Sequence, residues 1–266
     1  MVRNDSGGWT ALLDRLRSHI PSSVKRPVRR ALDDLEERRR FWALRRHVRT
    51  LRAELGRGTL PIRAIAGIRE MWGNTGFAAE MDLAIEIANR VVSSRGPFLE
   101  CGSGFSTILA GIIATHRGSR LIALEQDLRW FNRLKQTLAR LSISNVELIY
   151  APLIRYDDFV WFDVQDVALP TSLTHVFCDG PAVGPKWADP MRANWRAYVV
   201  PLLQQRGIAF EEILLDDSQD ERCDRLRATW RALGVETRVV DAPTRGYVVG
   251  VPVPGARREM RDPVRD

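Results

Sequence analysis

The chain has 266 residues, enough for one domain of roughly 200 residues and an extension. Its 45% apolar and 27% charged residues are typical of a globular protein, and no apolar run approaches the roughly 20 residues that a membrane-spanning helix needs. Residues 1–10 contain no apolar signal core, and the three cysteines cannot all pair. These features argue against membrane insertion and secretion, and we expect a cytoplasmic protein with reduced thiols.

Positive charge is concentrated at the N-terminus. Residues 1–72 contain 17 basic and 8 acidic residues, against 23 and 25 in the remainder. Helical periodicity predicts helices over residues 9–20, Pro27–Leu55 and Arg63–Trp72, which we group as a basic helical extension. The long helix combines an apolar stripe with arginine-rich faces. The stripe fits packing on the main domain or on a second copy of the chain in a homo-oligomer, whereas the arginines fit nucleic acid or an anionic membrane surface.

A glycine-rich turn follows the first predicted strand of the main domain. After a turn around residues 73–76 and a predicted helix over Phe77–Val92, an apolar run ends at Glu100 and leads into Cys101-Gly102-Ser103-Gly104. The mostly apolar residues that follow predict a helix. Gly102 permits a tight turn, and Gly104 leaves room where a ligand approaches the backbone. The free N–H groups at the helix start would face that ligand.

The pattern Glu-x-Gly-x-Gly resembles motif I of the class I S-adenosylmethionine-dependent methyltransferases. A dinucleotide-binding fingerprint would have a third glycine at position 107, where this chain has Thr107. The resemblance implies that the loop, with Ser103, Gly104 and Thr107, wraps the methionine part of S-adenosyl-L-methionine. It also implies that Glu100 helps to hold the cofactor's ammonium group.

The second predicted strand, Arg120–Glu125, also ends in an acid. Glu125 stands 23 residues after Gly102, and an acid at this strand tip can accept hydrogen bonds from both ribose hydroxyls. A helix over Leu128–Leu141 and a third strand over Val146–Tyr150 follow. Many relatives have an acid after the third strand to bind the adenine amino group, but this chain has Ala151-Pro152. Adenine would therefore be recognised by backbone groups, by Gln126 or by van der Waals contact.

The remaining elements complete an α/β pattern. Residues 156–162 read as an aromatic loop, either a hydrophobic flap or a wall of the substrate site. The later predicted elements are strands over 174–178, 208–215, 236–240 and 246–251, with helices over 190–204 and 221–233. They predict a doubly wound, mostly parallel seven-stranded sheet that ends in an antiparallel hairpin strand. We assign residues 73–254 to a class I methyltransferase domain and 255–266 to a disordered tail.

Further carboxylates follow the fourth and fifth strands of this domain. Asp179 comes after the fourth strand, and Asp216 and Asp217 come after the fifth. These strands are neighbours in the expected topology, and the sequence shows no obvious basic partner, so the carboxylates would repel unless a cation joins them. Oxygen ligands suit Mg²⁺. The arrangement resembles metal-dependent O-methyltransferases, in which Mg²⁺ lowers the pKa of a substrate hydroxyl.

The match to that subgroup is partial. Sugar-modifying relatives have another acid at the position of Pro181. Asp179 could instead act as a base without metal, with Asp216 and Asp217 capping the next helix. We therefore predict an S-adenosylmethionine-dependent methyltransferase that modifies a small-molecule or sugar hydroxyl, with Mg²⁺ as an open alternative. The other hypotheses are a nucleic-acid-directed methyltransferase or binding module that uses the extension, and a catalytically inactive cofactor-binding relative.

Overall fold

A computed structural model of the chain describes residues 25–73, 78–156, 159–182, 195–216, 222–242 and 245–254. The helix predicted at residues 9–20 and the tail after residue 254 lie outside these ranges, as do most of the predicted turn before the domain and Asp217.

A seven-stranded sheet forms the centre of the fold. Its strands lie in the order β3-β2-β1-β6-β7-β9-β8, and β9 runs antiparallel to both β7 and β8. The strands of this sheet are β1 (Phe98–Cys101), β2 (Leu121–Glu125), β3 (Val146–Tyr150), β6 (Ser172–Cys178), β7 (Ala209–Asp216), β8 (Val235–Val240) and β9 (Tyr247–Pro252). The predicted α/β architecture and its antiparallel hairpin strand are confirmed. Because strand order reverses between β1 and β6, the carboxyl ends of these strands border the crevice where such sheets bind ligands.

Helices cover both faces of the sheet, and β1 and β2 are therefore buried along their whole length. One apolar cluster joins the first five helices to one face, and a second cluster joins the last two helices to the other. The helices are α1 (Lys25–Leu55), α2 (Ile62–Trp72), α3 (Met81–Ser93), α4 (Phe105–Arg117), α5 (Leu128–Arg140), α6 (Val199–Gln205) and α7 (Arg222–Ala232).

The N-terminal helices pack on the chain's own domain. Leu51 of α1 and Ile65 and Ile68 of α2 are fully buried, in the same apolar cluster as α3 and α4. Arg52 donates hydrogen bonds from one guanidinium nitrogen to the carbonyls of Leu141 (2.7 Å) and Ser142 (3.0 Å), just after α5. The apolar stripe of α1 is therefore covered from Leu44 to Leu55, whereas Leu35 and Trp42 nearer its start are exposed, along with most of its arginines. Among the described helices, none has the length and apolar character needed to cross a membrane.

Two segments differ from the sequence-based prediction. The strands β4 (Leu153–Arg155) and β5 (Val160–Phe162) pair as a small antiparallel hairpin, so the predicted loop over residues 156–162 is wrong at 160–162. Trp161 and Phe162 are fully buried, and this run of bulky residues favours a strand. The predicted helix at 190–204 is described only from residue 195, where a 3₁₀ turn (Trp195–Tyr198) leads into α6.

An ion-pair network attaches α3 to the sheet. Arg90 Nε of α3 lies 2.5 Å from Glu212 Oε2 of β7, and His175 Nδ1 of β6 lies 3.4 Å from the same oxygen. Burial opposes ionisation of Glu212, but the close contact with His175 and the hydrogen bonds from Arg90 outweigh it and hold the pKa of Glu212 at about 2. His175 lies in the middle of β6 and is buried, so it belongs to the core of the fold.

Candidate functional site

The glycine-rich turn after β1 packs directly against the turn after β6. Gly102 has a φ of +92°, and a Cβ atom there would lie 2.7 Å from the nitrogen of Gly180 and 2.8 Å from its Cα. The N–H groups of Asp179 (3.0 Å) and Gly180 (2.7 Å) both donate to the carbonyl of Cys101. Glycine is therefore required at position 102 both by conformation and by close approach.

Gly104 is different, because packing does not demand a glycine there. Its φ of 173° is extended backbone. Among the described atoms, the nearest to a Cβ at this position would be the indole nitrogens of Trp72 (3.8 Å) and Trp130 (3.9 Å). The turn thus leaves space beside the start of α4, as the sequence predicts for a ligand-binding loop. Thr107 is fully buried below the turn, and its Oγ1 accepts a hydrogen bond from the N–H of Gly104 (2.8 Å).

Glu125 lies at the carboxyl end of β2 and faces the same turn. Its Oε2 accepts hydrogen bonds from the hydroxyl (2.6 Å) and the N–H (3.3 Å) of Ser103, and its Oε1 accepts from the N–H of Asp127 (2.8 Å). Burial raises the pKa of Glu125, while the bonds from Ser103 and Asp127 lower it in part. The structure therefore joins Ser103 and Glu125, two of the predicted cofactor-binding residues, in one hydrogen-bonded group.

Glu100 is a buried acid with unused hydrogen-bonding capacity. It is 2% exposed, and its Oε2 has no partner among the described residues. Burial raises the pKa of Glu100 to about 7, against the opposing effect of hydrogen bonds from Ser106 and Thr107. A carboxylate in this setting can accept a hydrogen bond from a cationic ligand group, which would favour its ionised form. Both the position and the orphaned oxygen fit the ammonium group that motif I binds in the family it resembles.

Gln126 offers a second unsatisfied acceptor, on the other side of Glu125. Its Oε1 is buried and makes no hydrogen bond within the described part of the chain. The neighbouring β3 ends at Tyr150, and Ala151 follows it, fully buried. Gln126 can therefore accept from an amino group at this end of the crevice, as predicted for adenine.

Two tryptophans and an arginine, which the motif analysis missed, border the turn. The rings of Trp72 (α2) and Trp130 (α5) meet edge to face with centroids 5.1 Å apart. The Arg133 guanidinium lies 4.6 Å and 4.9 Å from these two centroids and donates to the carbonyl of Trp72 (2.8 Å). Trp130 Nε1 donates to the carbonyl of Ser103 (2.9 Å). Helical periodicity alone assigned Trp72 to the end of a helix and gave no indication of this contact.

The predicted metal ligands have a basic neighbour. Arg196, just before α6, places a guanidinium nitrogen 3.3 Å from Asp179 Oδ1. Its other terminal nitrogen lies 3.4 Å from the main-chain carbonyl of Asp216, which is itself 3% exposed. The assumption that these acids lack a basic partner is therefore wrong. A guanidinium supplies at Asp179 part of the charge compensation for which a metal ion was invoked.

Two of the three predicted metal ligands, Asp179 and Asp216, lie in the described part of the chain. Asp217, the third predicted ligand, lies outside the described ranges. Within them, no group of three or more His, Cys, Asp or Glu side chains is arranged to hold a metal ion. The Mg²⁺ site remains a prediction, and the side-chain oxygens of Asp179 and Asp216 are its candidate ligands in the described part of the chain.

Comparison with known proteins supports the fold assignment. No family model matches the chain, and no curated protein matches it. The crystal structure of S-adenosylhomocysteine-bound Podospora anserina methyltransferase PaMTH1 is similar over 95% of this chain and 98% of that one, with 11% identity and a TM-score of 0.52. A METTL16 methyltransferase domain is similar over 71% of this chain and 95% of that one, with 13% identity and a TM-score of 0.48. Cofactor-bound Rv0187 from MTB is similar over 71% of this chain and 88% of that one, with 15% identity and a TM-score of 0.48. The chain has the class I methyltransferase fold.

Proposed function

We propose that the protein is an S-adenosylmethionine-dependent methyltransferase that acts on a hydroxyl group of a small molecule or sugar. The observation that carries this proposal is the arrangement of two buried acids around one glycine turn at the reversal of strand order. Glu100 leaves one carboxylate oxygen without a partner among the described residues, and Glu125 sits at the neighbouring strand end. The fold supports the same assignment, because the crevice at this point of the sheet is where such folds bind ligands.

The residues of the crevice divide between the two halves of the cofactor. Glu125 would accept hydrogen bonds from the ribose hydroxyls, and Gln126 would accept from the adenine amino group. Glu100 would hold the ammonium group, while Gly102 and Gly104 let the backbone approach the methionine part. When bound, the cofactor supplies an electrophilic methyl group on a sulfonium. The protein's contribution is to orient an acceptor towards that methyl group and to handle the acceptor's proton.

Asp179 and Arg196 are our candidates for binding the acceptor. The N–H of Asp179 donates to the carbonyl of Cys101 in β1, so the backbone of Asp179 lies against the start of the cofactor turn. Its carboxylate can accept the proton of a hydroxyl, and Arg196 can stabilise the resulting negative charge. Beside Arg196, Tyr198 stacks on Phe159 with centroids 4.0 Å apart and supplies an aromatic wall. If Mg²⁺ is used, Asp179 and Asp216 would bind it, and the metal would lower the pKa of the acceptor hydroxyl.

The residues after β6 favour an oxygen acceptor over the exocyclic amine of a base. Enzymes that methylate such amines usually have Asn or Asp followed by two prolines and an aromatic residue here, and this chain has Asp179-Gly180-Pro181-Ala182.

A nucleic-acid acceptor is the second candidate, and the outer side of α1 supports it. Four exposed residues of α1 follow helical spacing, namely Arg38, Trp42, Arg45 and Arg49. Trp42 is 62% exposed, and the Arg45 guanidinium lies 5.5 Å from the centroid of the Trp42 ring. Arginines separated by an exposed aromatic ring suit phosphates and a stacked base. A membrane surface fits less well, because an interfacial helix inserts a continuous apolar face, and the part of the stripe from Leu44 to Leu55 is already buried against the domain.

Binding and transfer must be tested separately. Isothermal titration should detect binding of S-adenosylhomocysteine to the wild-type protein, and NADH should not bind. Transfer should then be sought with methyl-labelled cofactor and two acceptor sets, namely a metabolite extract and total RNA. Label in a small molecule supports the first candidate and label in RNA supports the second. Cofactor binding without transfer to either would favour the inactive relative, and absence of cofactor binding would overturn the proposal.

A further inference from the structure

We propose that Trp72, the last residue of α2, belongs to the cofactor site and donates its indole N–H to the carboxylate of the amino-acid end of S-adenosylmethionine. This inference rests on the proposed cofactor. It makes the N-terminal helices part of the binding site, whereas the sequence alone describes them as a separate extension.

Trp72 presents a buried donor that the chain itself does not use. The side chain is 2% exposed, and its Nε1 finds no acceptor among the residues described. Buried polar groups are rarely left without a hydrogen bond, because desolvation without a partner is unfavourable. This nitrogen lies 3.8 Å from the position that a Cβ of Gly104 would occupy, so it faces the space left by that glycine. An acceptor bound in that space would satisfy it.

The same space lies at the start of a helix. The 13-residue α4 begins at Phe105, immediately after Gly104, and its axis carries partial positive charge at this end. Backbone N–H groups at a helix start, together with a nearby indole N–H, favour a negatively charged acceptor. A carboxylate therefore fits better than a neutral carbonyl.

Of the two indoles at this position, only that of Trp72 has its N–H available. Trp130 Nε1 would lie 3.9 Å from the same Cβ position, but it already donates to the carbonyl of Ser103. The ring of Trp72 is fixed by Trp130 on one side and by the Arg133 guanidinium on another. The positive charge of Arg133 also favours an anion nearby. The donor is thus held in place before any ligand arrives, which lowers the entropic cost of binding.

The position of Trp72 beside Gly104 indicates which end of the cofactor it would bind. Glu125 and Gln126 on β2 would hold the ribose and adenine, so the amino-acid end belongs near β1. An amino acid carries an ammonium and a carboxylate, and its recognition needs an acceptor and a donor. Glu100, just before the turn, offers the acceptor, and Trp72, beside Gly104, offers the donor.

The test compares S-adenosylmethionine with its decarboxylated form, which keeps the ammonium group and the sulfonium. Both are titrated calorimetrically into the wild type and Trp72→Phe, which keeps an aromatic ring under Arg133 and removes the N–H. We expect Trp72→Phe to weaken S-adenosylmethionine binding by about 10- to 100-fold, the usual range for a hydrogen bond to a charged group, and to leave the decarboxylated ligand unchanged. Trp161→Phe is the matched control, because Trp161 Nε1 also lacks a partner in the described structure but lies in β5.

Equal losses for both ligands, or no loss for either, would overturn the role of Trp72. The wild type alone also tests the proposal if the variant does not fold, because equal affinity for the two ligands would show that the carboxylate is not recognised. A wild type that binds neither ligand would instead overturn the proposed function, and this inference with it. The two failures are therefore distinguishable.

Discussion

Replacing Glu125 by alanine is the most direct test of the cofactor site. In the structure this carboxylate accepts from the Ser103 hydroxyl at 2.6 Å and from the Asp127 N–H at 2.8 Å, so it is ordered before any ligand binds. We expect the ribose hydroxyls to donate to the same two oxygens. Alanine removes both acceptors and leaves the neighbouring backbone donors without their usual partner.

The expected loss follows from the charge of the acceptor. Two hydrogen bonds to an ionised carboxylate, after exchange with water, are worth on the order of 2 to 4 kcal/mol, or about 30- to 1,000-fold in affinity. The effect on folding stability has two opposing parts. Burial raises the pKa of Glu125, so the ionised form is disfavoured in the folded protein, and alanine removes that cost. Alanine also leaves the donors of Ser103 and Asp127 unpaired, which is unfavourable.

Isothermal titration with S-adenosylhomocysteine measures the effect. Glu147→Ala is a suitable control, because Glu147 lies on the adjacent β3 and forms an exposed ion pair with Arg120, away from the strand end. We expect the control to bind within about twofold of the wild type, since exposed ion pairs contribute little. If Glu125→Ala also binds within threefold, the ribose role assigned to this residue is incorrect.

Three further predictions concern the turn, the buried acid and Asp179. Gly102→Ala should destabilise the fold by about 2 kcal/mol or more in urea denaturation, because the added methyl group would overlap Gly180. Gly118→Ala is the control. It would place its Cβ more than 4 Å from any described atom beyond its chain neighbours, so it should cost about 1 kcal/mol, from the positive φ alone. The folded pKa of Glu100 is about 7, above its ordinary 4.5, so this group stabilises the fold below pH 4.5 and that contribution is lost as pH rises through 7. Relative to Glu100→Gln, the wild type should lose about 3 kcal/mol of stability over that interval. Asp179→Asn should reduce transfer by at least about 100-fold while cofactor affinity stays within threefold.

Each of these predictions has an outcome that contradicts it. Equal costs for the two alanine variants would show that Gly180 can move away. A parallel pH profile for Glu100→Gln would place the titration in another group. Retained transfer by Asp179→Asn would exclude that carboxylate as base, and loss of wild-type transfer on chelation, restored by Mg²⁺, would favour the metal-assisted route.

Local signals in the sequence were sufficient to predict the main features of the fold. Buried strands ending near Glu100 and Glu125, with glycines at 102 and 104, were sufficient to predict the start of the sheet and the turn at which we propose that the cofactor binds. The bounds of β3 were predicted without error, because Val146–Tyr150 is a short β-rich run between clear loop signals. These features depend on neighbouring residues, which periodicity and turn chemistry describe well.

The missed features depend on contacts between distant segments. Trp72 stands 32 residues before Gly104, and only the docking of α2 beside α4 and α5 brings it to the turn. Arg196 reaches Asp179 from the element that precedes α6. Neither contact leaves a periodic or motif signature, because the chain contains many arginines and apolar helix ends. Long-range packing therefore decided which side chains lie beside Gly104 and Asp179.

The close contact between Gly102 and Gly180 also affects how Asp179 is positioned relative to the bound cofactor. The N–H groups of Asp179 and Gly180 both donate to the carbonyl of Cys101, the residue that leads into the turn that would hold the cofactor. Displacing the Asp179 backbone relative to that turn would break these bonds or force the two glycines into overlap. Misplacing the reacting groups by about 1 Å can reduce the rate a hundredfold. This contact therefore fixes the position of the Asp179 backbone relative to the cofactor turn. Acceptor specificity can then change through the surrounding loops without disturbing the distance between Asp179 and the cofactor turn.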